Sequence, residues 1–132
     1  MKKLLFIWIA LLPMLSNAQA HLGSTEAEIK AFHTDKTFDT GYTDDGQKYI
    51  SAYMTYGTFL YYFDKKTGLS SYCKQIVNDM PHFITGQIEI YNKQYEIISD
   101  TKWEAHLEGG GILTIELSYN DAYKSYVFEY TY

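Results

Sequence analysis

The sequence predicts a two-layer α+β domain, an antiparallel sheet with helices. Three observations predict it. Short runs of alternating apolar and polar residues recur between turn residues, as strands wetted on one face require. Two segments instead carry apolar residues at helical spacing, one beginning near Thr25 and one near Pro81. Finally, the chain holds 14 tyrosines. They suit a half-wet sheet, because the ring packs while the hydroxyl reaches water.

The first helix is expected in GSTEAEIKAFH. Thr25 can cap it, with Glu28 three residues later as in a capping box, and Ile29 and Phe32 share one face. FDTGYTDDGQ is polar and turn-rich and reads as a loop. KYISAYMTYG and TFLYYFD read as strands, then DKKTG as a turn and LSSYCKQIV as a third strand. The segment from Asn78 to Asp100 has two readings. As a helix, Ile84, Ile88, Tyr91, Tyr95 and Ile98 form one stripe, Asp79 can cap it and Pro81 fits its first turn. As a hairpin, QIEIY pairs with QYEII across Asn92 and Lys93. The length of the stripe favours the helix. TKWEAHLEGG, GILTIELSY and KSYVFEYTY close the chain as three strands, turning at EGGG and at YNDAY.

This order, helix and three strands twice over, reads as a duplicated α-β-β-β unit over residues 24–78 and 79–132. An offset of 54 positions lays Lys48-Tyr49 on Lys102-Trp103, Gly57 on Gly111, and Ser71-Tyr72 on Ser125-Tyr126. Two unrelated meanders of similar length would also align in part, and the residues leave both readings open. Residues 21–132 read as one domain by length.

Residues 1–20 have the order of a secretory signal peptide. Lys2 and Lys3 precede an apolar run from Leu4 to Leu12, followed by small and polar residues. The run is shorter than the roughly 20 residues a membrane helix needs. Cleavage after Ala18 or after Ala20 fits, and the expected place is the periplasm or the exterior, with no membrane span once the signal is removed. Removing Lys2 and Lys3 from the 11 basic residues leaves 9 lysines against 16 acids, a formal charge of −7. No arginine occurs. An acidic chain without one guanidinium group is poorly suited to phosphates and guanine edges, so nucleic acid is not an expected partner.

Few residue patterns point to chemistry. Cys73 stands alone between strand-like residues, as a small buried hydrophobe. His21, His33, His82 and His106 show no metal-ligand spacing, and no cofactor is implied. His21 is the one speculative metal ligand, since cleavage before it or two residues earlier would create an amino-terminal copper chelate. Asp44-Asp45-Gly46 suits a turn, and Glu26 and Glu28 suit a helix's first turn. No nucleophile motif or phosphate loop is present, so an enzyme is not expected. The aromatic residues remain. Tyr53, Tyr61, Trp103, Tyr126 and Tyr130 are the candidate ligand-binding residues, as members of a Tyr/Trp stripe on an open sheet face.

LGSTEAEIK resembles the opening helix motif of exported α+β modules of the β-lactamase-inhibitor-protein kind. The wider pattern of LGS and EI, then YYFD, then YEI and Trp103, then IELSY, is similar to a set of uncharacterised small secreted bacterial proteins. The first likeness covers about ten residues and the second most of the chain after the leader. Together they imply an exported α+β module and bring no activity or mapped binding surface.

The expected function is therefore an exported, soluble, non-enzymatic binding module of the cell envelope, its ligand an envelope protein or small molecule. Two alternatives compete. A small outer-membrane barrel would use the terminal SYVFEYTY as its closing strand, but it needs at least eight alternating strands and no helix in its wall. A small envelope enzyme would have to act without a recognisable constellation.

Overall fold

The computed structural model describes residues 21–33, 36–54, 57–77, 81–107 and 111–132. The expected leader, the Asp79 cap and residues 108–110 of the EGGG turn lie outside them. The described elements are α1 (Glu26–Phe32), β1 (Phe38–Tyr42), β2 (Lys48–Met54), β3 (Gly57–Phe63), β4 (Ser70–Val77), α2 (Pro81–Gln94), β5 (Glu96–Ser99), β6 (Lys102–His106), β7 (Ile112–Asn120) and β8 (Ser125–Thr131). All eight strands form one open antiparallel sheet in the order β1-β2-β3-β4-β8-β7-β6-β5. Each half of the chain is thus a helix followed by a four-stranded meander. The halves join where the last strand of one, β4, pairs with the last strand of the other, β8.

The α1 cap forms as the sequence predicts, with the Glu28 amide donating to Thr25 Oγ1 at 3.2 Å. The chain before α1 is tied to the sheet by Gly23 N–H to the Ser70 carbonyl at 2.7 Å and Ser70 N–H to the Ser24 carbonyl at 2.8 Å. α2 settles the ambiguous segment as a helix through Gln94. Its stripe packs on the core with Tyr91 fully buried and Ile84, Ile88 and Tyr95 partly so. The stripe stops there. Ile98 belongs to β5, where Ile97 and Ile98 form an edge strand folding back on β6 across Asp100 and Thr101.

Two strands were not legible. Phe38–Tyr42, expected as loop, is β1, and β5 was absorbed into the helix and loop reading. Each half therefore has four strands where three are expected. Both extra strands are sheet edges, where one side of the backbone faces no partner and polar residues are tolerated. In β1, the Tyr49 ring of β2 lies across Gly41, so that a side chain there would collide with it.

The core lies between the sheet and the two helices. Register carries one row of inward residues across all eight strands: Thr40, Ile50, Tyr61, Cys73, Tyr130, Ile115, Trp103 and Ile97. The next row runs Phe38, Ala52, Phe59, Gln75, Phe128 and Leu117. Both helices contact this face. His33 at the end of α1 lies 3.4 Å from the Tyr61 hydroxyl, and Tyr91 of α2 lies 2.5 Å from that of Tyr130.

The 54-residue offset does not survive face by face. It keeps Tyr61 with Ile115 on the inward side. It lays outward Tyr49 on inward Trp103, and inward Cys73 on outward Val127. Side chains alternate with a period of two, so the faces of β2/β6 and β4/β8 correspond only after a one-residue shift.

Candidate functional site

Each strand that sends one set of side chains to the helices sends the alternate set to the opposite face. Among the described residues, no helix covers that face. Its first row is Tyr49, Tyr62, Tyr72, Thr131, Thr114, Glu104 and Glu96, from β2 to β5. The second is Asp39, Ser51, Leu60, Lys74, Glu129, Glu116 and Lys102, from β1 to β6. The third is Tyr53, Thr58, Ile76, Val127 and Ser118.

One half of the face is aromatic and apolar. Tyr62 stands between Tyr49 and Tyr72, its ring centroid 5.3 Å from each. This is the spacing of adjacent strands, so three rings on consecutive strands make a ladder. The Lys74 ammonium lies 5.8 Å from the ring centroids of both Tyr62 and Tyr72, within cation–π reach. Burial pushes the Tyr62 hydroxyl up to about 12. It raises Tyr72 as well, assisted by a hydrogen bond to the Glu129 carboxylate. Leu60 follows in the second row and Ile76 and Val127 in the third, Leu60 and Val127 buried.

The other half is acidic. Glu116 stands directly opposite Glu129, and Glu96 directly opposite Glu104. His106 follows Glu104 by two positions on β6, and its Nε2 lies 3.3 Å from Glu96 Oε2. Glu96, Glu104 and His106 could each offer one ligand atom to a metal ion, all within 4.8 Å of one another. They are the described residues most able to hold a cation. Sequence reasoning passed over them because cross-strand neighbours have no fixed spacing along the chain.

The predicted site residues separate into two groups. Tyr61, Trp103 and Tyr130 are buried beneath the helices and line no surface. Trp103 Nε1 donates to Asn92 Oδ1 of α2 at 2.8 Å, and the Tyr130 hydroxyl bonds Tyr91 and Gln75. They anchor α2. Tyr53 and Tyr126 are exposed. Tyr53 is on the open face, its hydroxyl donating to Asp39 Oδ2 at 2.8 Å. Tyr126 has inward register but sits at the sheet's end, packed edge-on against Tyr119 at 5.2 Å. The two do not meet: Tyr53 is on β2 and Tyr126 on β8. His21 lies against the Phe32 and His33 rings at 4.5 and 5.3 Å. The ladder residues Tyr49, Tyr62 and Tyr72 are not among the expected ligand-binding residues, because a run such as Tyr61-Tyr62-Phe63 must point to both faces without saying which ring turns outward.

A cleft of about 330 Å³ lies between α1 and the turns after β1 and β3, lined by Glu26, Lys48, Phe63, Asp64 and Lys65. Its cations are already engaged, Lys48 by Glu26 at 2.7 Å and Lys65 by the Asp45 carbonyl. Hydrogen bonding from Lys48 holds the Glu26 carboxyl below its ordinary range. Cys73 is wholly buried, and burial raises its thiol well above the ordinary value, which leaves little thiolate for reaction.

Comparison with protein-family models, with curated proteins and with solved structures found no match.

Proposed function

We propose that the protein is a non-enzymatic, exported binding module of the cell envelope, periplasmic or secreted, which takes a protein or small ligand on the open face of its sheet. One observation carries this reading. A contiguous row of three part-exposed tyrosines lies on the face that neither helix covers. Rings with a packed body and a polar tip are the common material of recognition surfaces. The leader-like residues 1–20 support export. The inert setting of Cys73 and the paired state of Glu26 favour binding over catalysis. The sheet order ends on β1 and β5, whereas a barrel requires its two end strands to pair. No described helix is long and apolar enough to cross a membrane. A duplicated origin for the two halves is supported by their matched element order, and it requires the one-residue shift in β2/β6 and β4/β8.

The test is capture of a partner from envelope extract by the full chain, followed by Tyr62→Ala and Tyr72→Ala. Both tyrosines are only half-buried, so the variants should fold. Loss of the partner in both, with the far-ultraviolet dichroism kept, supports the reading. Retention in both, or turnover of a substrate without any partner, defeats it. Fractionation decides localisation, because the proposal expects the protein in the periplasmic or culture fraction.

A further inference from the structure

We propose that the open face takes an extended polypeptide segment carrying lysine or arginine side chains; the inference rests on the open face being the binding surface. The first ground is charge. The face presents five carboxylates, on Asp39, Glu96, Glu104, Glu116 and Glu129, against the ammonium groups of Lys74 and Lys102. Two of the carboxylate pairs stand directly opposite across neighbouring strands, an arrangement that destabilises a sheet. For Glu116 and Glu129 the flanking lysines answer it in part, since the row reads Lys74, Glu129, Glu116, Lys102. For Glu96 and Glu104 the nearby basic group is the His106 imidazole. An incoming cation relieves both pairs, whereas an anionic segment meets repulsion.

The second ground is layout. The acidic half adjoins the tyrosine ladder within one continuous face. From β3 to β5 the sheet advances five strand spacings, about 24 Å at the usual separation. An extended chain of roughly seven residues spans that distance. Such a segment lays apolar or aromatic groups on the ladder and cationic groups on the glutamates at once. A free polyamine satisfies the acidic half alone.

The test uses the full chain and three labelled eight-residue peptides in low-salt buffer containing EDTA, read by fluorescence anisotropy. One carries leucine at alternate positions of one half and lysine at alternate positions of the other, with serine between, so that both kinds face the same side, and the others replace each lysine by serine or by glutamate. The lysine peptide should bind most tightly and weaken with salt. Glu104→Gln with Glu116→Gln should weaken it about tenfold, the worth of one lost charged contact. The unfolding temperature of that double variant should hold or rise, because a like-charge clash is removed. Tyr62→Ala should weaken the lysine and serine peptides alike. Equal affinity for all three peptides, or an unchanged lysine affinity in the glutamine variant, overturns the proposal and leaves the open face as a binding surface. Absence of lysine-peptide binding also overturns it. The open-face reading is then decided separately by partner capture with Tyr62→Ala.

Discussion

The two halves of the molecule share an element order and are held together differently. In the first, α1 is seven residues long and buries one residue, Ile29. Its other ties to the sheet include the Glu26–Lys48 ion pair, on partly exposed side chains. In the second, α2 is fourteen residues long. It buries Tyr91 and Gln87, bonds Tyr130 and accepts the Trp103 indole on Asn92. On the outer face the contrast reverses. The first half supplies the tyrosine ladder, and the second supplies the paired glutamates. The lesson is that the second half commits its aromatic residues to anchoring a helix and leaves its outer face to charge. The first half packs Phe38, Phe59, Tyr61 and Phe63 inward and still turns four tyrosines outward, Tyr49, Tyr53, Tyr62 and Tyr72.

Alkali should break both halves at once and is the largest expected effect. Burial raises the hydroxyls of Tyr61, Tyr91 and Tyr130. A folded value above the unfolded value of about 10 means that the unfolded chain loses the proton first. This contribution to stability is therefore whole below about pH 10 and falls as pH rises, by about 1.4 kcal/mol per pH unit for each such tyrosine. Thermal melts from pH 9 upward, with tyrosinate absorbance recorded alongside, should show ionisation of these rings coincident with unfolding. Early ionisation of these rings in a folded protein would contradict their burial.

Trp103→Ala comes next, at about 3–5 kcal/mol, since it removes a fully buried ring and its hydrogen bond to Asn92. Ile29→Ala should cost roughly 2–4 kcal/mol. Denaturant titration of the two variants compares the anchors directly. An Ile29→Ala loss greater than that of Trp103→Ala would reverse the contrast between the halves. Hydrogen exchange should agree, with α1 amides opening more readily than those of α2.

Tyr91→Phe should cost about 1–2 kcal/mol. It deletes one hydroxyl and keeps the ring, and the Tyr130 hydroxyl retains Gln75 at 3.2 Å. A cycle with Tyr130→Phe isolates the coupling. The smallest effect has the opposite sign. Gly86 sits within α2 with open space where a side chain would project. Gly86→Ala should stabilise the protein by roughly 0.5–1 kcal/mol, because glycine loses more freedom than alanine in a helix. A loss instead would show that α2 needs glycine at this position.

The fold class, six of the eight described strands, the first helix and its Thr25 cap were legible in the chain, because alternation, helical spacing and capping are local patterns; the second helix was the favoured of two readings and ends at Gln94, short of Ile98. The strands β1 and β5 were not. An edge strand such as Phe38–Tyr42 owes its form to the neighbour it pairs with, and its polar composition is that of a turn. Nor was the site legible beyond its aromatic character. Three of the five aromatic residues expected there, Tyr61, Trp103 and Tyr130, are core, while the ladder is Tyr49, Tyr62 and Tyr72, of which Tyr62 adjoins Tyr61 in sequence.

Sequence by itself determined that this chain builds a sheet with helices on it and that tyrosine dominates its sheet. Only the tertiary structure decided which tyrosines face the helices. The alternation that sorts them has a period of two, so a one-residue difference in register exchanges inside for outside. The terminal SYVFEYTY shows the consequence. Pairing with β4 and β7 turns Phe128 and Tyr130 into the core and leaves Val127, Glu129 and Thr131 on the open face. Glu129 thereby meets Glu116, a juxtaposition that exists only once two distant strands lie side by side.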